Sequence, residues 1–285
     1  MELGFLLGVL NGFIWGLLLA LISIGLTLIF GVMRIINVAH GELYMVGAFL
    51  AWLTYAYLGV SWLALIVGPL VVGAISFAIE RGILAPLKHE ALRVVLATIG
   101  LMYIFQYTAL YLFGGASKSS PPLVGGTFPI FGGEYPFYRV FLGVITVVVL
   151  GILWLFLQRT KFGLWIRASS QNKELALLVG IPSRAVYTIT FVVGGILCSL
   201  GGILMTPIVS INFLMGIEMT VVAFIVVVIG GLGSLKGTLV AGLLWGVLEG
   251  SWSLLLTPAE ARVVTFAILL MIFLLRPSGI FGGRP

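Results

Sequence analysis

Residues 223–249 read AFIVVVIGGLGSLKGTLVAGLLWGVLE, two apolar runs joined by a glycine-rich break. A helix that crosses a bilayer needs about 20 mostly apolar residues. Comparable runs occupy residues 5–32, 43–58, 61–79, 92–113, 137–157, 185–206, 219–235, 238–256 and 262–275. They do not alternate polar and apolar residues as the strands of a membrane β-barrel do. The sequence therefore predicts an all-α polytopic membrane protein, one domain over 1–285 with about eight to nine transmembrane helices, some broken at glycines.

The composition indicates that lipid is the main solvent of this chain. Apolar residues make up 61% of its 285 residues and charged residues 8%, whereas soluble domains contain roughly 45–50% and about 25%. All nine acidic residues are Glu, so chemistry that needs Asp is excluded. The histidines are His40 and His89, and neither an HExxH pair nor a GxxxxGK[ST] loop is present. We therefore expect no catalytic residue, no metal site, no cofactor and no ATP hydrolysis by this chain.

Basic residues are shared unevenly between the predicted loops. The connection 159–184 contains Arg159, Lys161, Arg167, Lys173 and Arg184. The loop 81–93 adds Arg81, Lys88 and Arg93, and the C-terminal tail adds Arg276 and Arg284. The loop 114–136 carries only Lys118 and Glu134. Because cytoplasmic loops are enriched in Lys and Arg, we predict that 159–184, 81–93 and the C-terminus lie in the cytoplasm and that 114–136 lies outside. The side of the membrane on which the N-terminus lies is not assigned.

The basic residues suggest no nucleic-acid partner. The formal net charge is +6, but its residues are scattered between apolar runs. A nucleic-acid interface gathers Lys and Arg on one face. We expect the lipid bilayer, not nucleic acid, as the partner of this surface.

The segment Gly31-Val-Met-Arg-Ile-Ile-Asn-Val-Ala-His-Gly-Glu-Leu-Tyr-Met-Val-Gly47 interrupts the apolar pattern with four polar residues. They are Arg34, Asn37, His40 and Glu42. One interpretation is a short polar loop. The other is a discontinuous helix at membrane depth, whose irregular backbone needs protein or water to satisfy it. In that case Arg34 faces a polar cavity or pairs with Glu42. Glu218, at the edge of an apolar run, is a second candidate for a solute pathway.

Residues 160–182 read TKFGLWIRASSQNKELALLVGIP and predict an amphipathic helix between two spans. Gly180 suits the left-handed position after a helix, and Pro182 suits the first turn of the next one. Small residues along this helix allow close packing against another protein. Two interpretations remain open: a helix lying on the membrane face, or a coupling helix that enters a groove of a soluble partner.

Four segments together resemble the integral membrane permeases of the branched-chain amino acid ABC transporter family, specifically its H-type subunit. They are FGVMRIINVAHGELYMVGA, TKFGLWIRASSQNKELALLVGI, AFIVVVIGGLGSLKGTLVAGLLWGVLE and RPSGIFG, in this order. The resemblance covers nearly the whole chain. Many members carry a basic residue before the Ala-Phe of the third segment, whereas Val222 stands there in this chain. That departure bears on the solute rather than on the fold.

The resemblance implies a permease domain in the bacterial inner membrane. Its partners would be a second related permease, two cytoplasmic ATPases and an external solute-binding protein. The pathway motif would map to Arg34, Asn37, His40, Gly41 and Glu42. The ATPase-coupling segment would map to Arg167, Ala168, Asn172, Ala176, Gly180 and Ile181. The solute would be a branched-chain amino acid. Relatives with similar motifs move urea, amides or aromatic acids, and an ion-coupled secondary transporter is the alternative mechanism.

Overall fold

A computed structural model gives the architecture of the protein and describes residues 2–87, 90–130, 133–253, 255–276 and 279–281. The residues Lys88, His89 and Arg284 lie outside the described ranges. The described residues form eleven α-helices and a β-hairpin. The elements are α1 (Glu2–Met33), α2 (His40–Leu58), α3 (Ala64–Ile79), α4 (Ala91–Phe113), β1 (Thr127–Ile130), β2 (Gly133–Pro136), α5 (Phe137–Arg159), α6 (Lys161–Gln171), α7 (Lys173–Leu178), α8 (Ser183–Met205), α9 (Met215–Gly230), α10 (Leu235–Trp252) and α11 (Pro258–Leu275).

Six of the described helical segments are long and apolar enough to cross a membrane. They are Gly4–Met33, Ser61–Leu84, Ala91–Phe113, Phe137–Arg159, Ser183–Met205 and Pro258–Leu275. The chain bends by 120° between helices α9 and α10, and this pair adds one span if the two helices are counted together. The predicted number of eight to nine spans is therefore not confirmed. The apolar run 43–58 belongs to α2, whose first half is buried inside the protein rather than facing lipid.

The bend between α9 and α10 lies at the glycine-rich break within residues 223–249. Gly231 and Gly233 adopt φ values of 101° and 84°, which residues with a side chain rarely reach. Ser234 then caps α10, because its hydroxyl oxygen accepts the N–H of Gly237 at 3.1 Å. The predicted glycine-broken segment is present, and it turns the chain sharply instead of ending one full span and starting another.

Helix α1 is the centre of the bundle and packs antiparallel to α10. Leu18, Leu19 and Leu21 are fully buried. At Gly12 and Gly246 the two backbones are so close that a Cβ on either residue would overlap the carbonyl oxygen of the other. Such close approach through small residues is the usual way in which helices associate in lipid, where apolar contacts alone give no preference for helix over solvent.

The ends of the bundle differ in chemistry. Tyr135 of the hairpin donates to the side-chain oxygen of Asn11 at 2.7 Å, and Lys118 and Ile211 pair through their backbones. These contacts gather the 114–136 loop at what we call the hairpin end. The 23 residues of α5, about 34 Å of helix, separate it from α6 and α7 at the opposite, basic end. The predicted opposite placement of 114–136 and 159–184 is consistent with this arrangement, and the hairpin is a small departure from an all-α chain.

Candidate functional site

The helix break predicted within 31–42 is present. Helix α1 ends at Met33, Arg34 has a left-handed φ of 53°, and α2 begins at His40. The intervening chain is partly inside the protein, since Ile35 and Asn37 are each only 1% exposed, whereas Arg34 and Ile36 are exposed. The discontinuous-helix interpretation therefore describes the backbone better than a surface loop does. Whether these residues line a pathway stays a prediction.

Three backbone N–H groups at the break are satisfied by side chains, two of which are hydroxyl groups from other helices. The N–H of Val38 donates to the hydroxyl of Thr98 on α4 at 3.2 Å. The N–H of Gly41 donates to the hydroxyl of Thr220 on α9 at 2.9 Å. Asn37 accepts the N–H of Ala39 at 3.2 Å. Buried N–H groups without partners are costly, so these bonds allow a partly buried irregular segment within an apolar bundle.

The two other polar residues of the motif, His40 and Glu42, are fully buried. The ring Nε2 of His40 lies 3.1 Å from the carbonyl oxygen of Ile22 on α1. Glu42 accepts a hydrogen bond of 2.9 Å from the side-chain amide of Gln106 on α4. Of these polar side chains, Asn37 therefore bonds to the backbone of the break itself, whereas His40 bonds to α1.

The predicted pairing of Arg34 with Glu42 is wrong. Arg34 is exposed, and in the described part of the chain no ion pair joins it to a carboxylate. Glu42 points away into the bundle, towards Gln106 and against Gly216, where an added Cβ would meet its carboxylate. An arginine at the end of α1 with its charge outside avoids the cost of burying an unpaired cation.

Two adjoining cavities open near the hairpin end. The larger, of about 340 Å³, lies between α1, α5, α10 and α11. The smaller, of about 90 Å³, lies between α1, α2 and α9 and contains Glu218 in its wall. Trp15, Val209 and Arg262 border both cavities. The predicted candidate Glu218 is therefore exposed at a cavity, whereas Glu42 is buried.

Glu249 organises the wall of the larger cavity. Its Oε2 accepts the indole N–H groups of Trp15 and Trp245 at 3.0 and 2.8 Å. Its Oε1 lies 3.3 Å from Nε of Arg262 on α11. One carboxylate thus joins α1, α10 and α11. The arrangement leaves the wall with a fixed negative charge that is already paired, and with Arg139 and Arg262 as cations beside an apolar lining.

The predicted amphipathic helix 160–182 is two helices. Thr160 caps α6 by accepting the N–H of Gly163 at 3.0 Å. Asn172 leaves the helical conformation and caps α7 by accepting the N–H of Leu175 at 3.0 Å. Asn at this position favours a helix start over a helix interior, which explains the break. Gly180 has the predicted left-handed conformation, with φ of 81°.

The other predicted coupling residues divide into inward and outward positions. Ala176 is buried within this chain, at 5% exposure, and its carbonyl accepts the N–H of Ile181 at 3.0 Å. Arg167, half-buried like Ala168, donates to the side chain of Gln158 on α5 at 2.7 Å. The outward face of α7 is instead formed by large apolar residues, with Leu175, Leu178 and Val179 exposed at 59%, 81% and 77%.

Several residues of this site were not predicted from the sequence. Thr98 and Thr220 carry no distinctive signal, since threonine is common in apolar helices. Gln106 is an amide inside the apolar run 92–113, and that polar residue was a usable signal for a buried partner. Arg262 is the first residue of the apolar run 262–275, where a basic residue is typical of a helix end at the membrane surface.

These features define a class of protein: a helical bundle suited to the membrane, with a break after its central helix, two adjoining cavities at one end and short amphipathic helices at the other. The chain belongs to the family described as "Branched-chain amino acid transport system / permease component", which matches residues 8–275. The family resemblance expected from the sequence is confirmed. The chain is a transport permease by family, not an enzyme.

Curated relatives match over almost the full length. The high-affinity branched-chain amino acid transport system permease protein BraD of Pseudomonas aeruginosa is 31% identical, covering 96% of this chain and 94% of BraD. The corresponding protein LivH of Salmonella typhimurium is 30% identical, with 99% and 96% covered. A probable branched-chain amino acid transport permease protein LivH of Methanocaldococcus jannaschii is 28% identical, with 94% and 90% covered. No solved structure matches.

Proposed function

We propose that this chain is the membrane-spanning permease subunit of an ATP-driven importer of branched-chain amino acids or similar small polar solutes. Two ATPases dock at its basic end in the cytoplasm, a second related permease completes the pathway, and an external binding protein delivers the solute at the hairpin end. The bacterial inner membrane is its location. The observation that carries this proposal is the family match over residues 8–275, supported by relatives of nearly equal length.

The outward face of α7 supports ATPase docking at the basic end. This helix has six residues, far fewer than a membrane span needs. Leu175 and Leu178 of α7 and Val179 directly after it are exposed and form an apolar patch, and the basic residues Lys173 and Arg184 are close to them along the chain. An apolar patch with a charged rim is typical of a protein interface. The same patch lying on the membrane surface is the competing arrangement.

Leu178 offers a cleaner test of docking than the residues buried in this chain. A tryptophan at Ala176 would disturb the fold itself, and a tryptophan at Gly180 would strain a left-handed backbone. Leu178→Glu should weaken co-purification with the ATPases by about tenfold or more, because a buried charge in an apolar interface is costly, whereas Leu178→Met should leave it unchanged. If Leu178→Glu assembles and transports like Leu178→Met, the docking assignment fails.

The cavities at the hairpin end suit a zwitterion with an aliphatic side chain. Glu218 supplies a carboxylate for an ammonium group, and Arg262 supplies a guanidinium for a carboxylate. Ile14, Leu142 and Ile208 give the adjoining cavity an apolar lining. We therefore propose Glu218, together with Arg262, as solute contacts. The buried group at Asn37, His40 and Glu42 then acts at the closed part of the pathway, with Arg34 at its exposed edge.

Transport by the assembled complex in proteoliposomes tests this pathway. Glu218→Gln should raise the KM for leucine about tenfold while the complex still assembles, because one charge-assisted contact contributes about 1.5 kcal/mol. Val221→Ala, at an exposed position of the same helix and outside both cavity walls, is the control and should leave the KM unchanged. Uptake that requires an ion gradient and proceeds without ATP hydrolysis would instead establish the ion-coupled transporter.

A further inference from the structure

A third cavity, of about 330 Å³, lies at the basic end, away from the proposed solute path. Its wall is formed by Arg81, Ala85, Pro86, Ser183, Arg184 and Tyr187. Arg81 lies in the short π-helix Glu80–Leu84 that continues α3, and Ala85 and Pro86 follow it. Ser183, Arg184 and Tyr187 lie at the start of α8. Two arginines and two residues with hydroxyl groups surround a space large enough for a phosphate with its substituents. Of the residues in this wall, the proposed transport function uses only Arg184, at the edge of the α7 patch.

Arg81 is held in place at the edge of this cavity. Its Nε lies 3.7 Å from Oε2 of Glu80, a carboxylate that is fully buried and receives a hydrogen bond of 2.6 Å from the hydroxyl of Thr188. The guanidinium also lies over the ring of Phe77, 5.8 Å from its centre. One third of the Arg81 side chain is exposed. The contacts with Glu80 and Phe77 therefore orient the guanidinium while leaving part of it accessible.

An exposed apolar stripe on α3 leads directly to Arg81. Ile66, Leu70 and Phe77 are exposed at 62%, 68% and 51%. With Ala74, which is also exposed, they recur at steps of three and four residues, so that they and Arg81 share one face of the helix. Because α3 is part of a candidate membrane span, this face is positioned to contact lipid acyl chains.

We propose that this cavity binds the phosphate of an anionic phospholipid whose acyl chain lies along the α3 stripe. Arg81 and Arg184 contribute the positive charge, and Lys173 adds a third cation nearby, 5.2 Å from the ring centre of Tyr187. A zwitterionic headgroup would bring its own cation against these arginines, so an anionic lipid is favoured. Basic pockets between membrane helices have this preference in general. The lipid links α3 to α8, next to the helices α6 and α7.

Native mass spectrometry of the full chain in detergent, titrated with phosphatidylglycerol, tests the proposal. Ser183→Glu adds a negative charge at the start of α8, where it suits the helix, and should weaken lipid binding about fivefold. Ser183→Gln introduces a side chain of nearly the same shape as that of Ser183→Glu but without the charge, and it should bind the lipid like the wild type. Arg81→Gln with Arg184→Gln should weaken binding about thirtyfold.

Arg159→Gln with Lys161→Gln removes two charges from the same end without touching the cavity, and should leave binding unchanged. Phosphatidylcholine should bind more weakly than phosphatidylglycerol. The proposal is overturned by equal affinity for the two lipids, or by unchanged affinity in Ser183→Glu and in the double arginine variant. Displacement of the lipid by inorganic phosphate at equal concentration would also overturn it, since the site would then recognise a free anion.

Discussion

Gly41→Ala should destabilise the protein more than an ordinary glycine substitution in a helix. Gly41 is the second residue of α2 and lies where this helix crosses α9. A Cβ there would overlap the carbonyl oxygen of Gly216 and lie 2.8 Å from the backbone nitrogen of Thr220. Both obstacles are backbone atoms of one helix, so no side-chain rotation relieves them.

The cost follows from three contributions. Overpacking a dense interior costs about 1–3 kcal/mol. Displacing Gly41 also breaks its N–H bond to the hydroxyl of Thr220 and leaves a buried donor unpaired, at about 1–3 kcal/mol. Alanine recovers up to about 1 kcal/mol through its higher helix propensity. We expect a net loss of about 2–4 kcal/mol and a melting temperature lower by at least about 4 °C.

Thermal unfolding of the purified chain in detergent, followed by size-exclusion chromatography, measures this loss. Gly100→Ala on α4 is the control, because nothing lies within 4 Å of the added Cβ, and it should match or slightly exceed the wild type. Thr220→Ala in the Gly41→Ala background should not restore stability, since the carbonyl of Gly216 still blocks the methyl group. A Gly41→Ala protein as stable as Gly100→Ala would refute the close α2–α9 contact.

Glu249→Ala should lower stability by about 2–3 kcal/mol, because two indole N–H groups and Arg262 lose their acceptor; Glu249→Gln, which keeps one acceptor oxygen, should cost less, and equal melting temperatures for the two variants would contradict the assignment. In a Cys198→Ala background, Ser119→Cys should react with a membrane-impermeant thiol reagent in intact cells, and Ser170→Cys should react only after permeabilisation. Both positions are exposed at opposite ends of the bundle, so the reverse labelling pattern would invert the proposed orientation.

Helix positions were largely predictable from the sequence because apolar length decides them. The run 137–157 became α5, Phe137–Arg159, and the run 185–206 became α8, Ser183–Met205. The break near Arg34 was also visible, since four polar residues in an apolar context are costly unless the helix is interrupted there. Gly180 was assigned correctly because few other residues tolerate its conformation.

Contacts between distant helices were not predictable in the same way. Gln106 donates a hydrogen bond to Glu42, 64 positions away in the chain. A single sequence contains no signal that identifies two such distant residues as partners. The runs 219–235 and 238–256 read as two spans, whereas glycine conformations fold them back at 120°. Asn172 divides 160–182 because its side chain competes for a backbone N–H, a local effect that periodicity overlooks.

The support of α2 by α9 also determines when the protein can become complete during synthesis. The N–H of Gly41 and the hydroxyl of Thr220 are 179 residues apart in the chain. At about 5–20 residues per second, a ribosome needs roughly 10–40 s to produce the acceptor after the donor. During that interval the N–H of Gly41 lacks the acceptor that it has in the finished protein. The first half of the bundle therefore cannot complete its hydrogen bonds until α9 has been synthesised, and it depends on the insertion machinery until then.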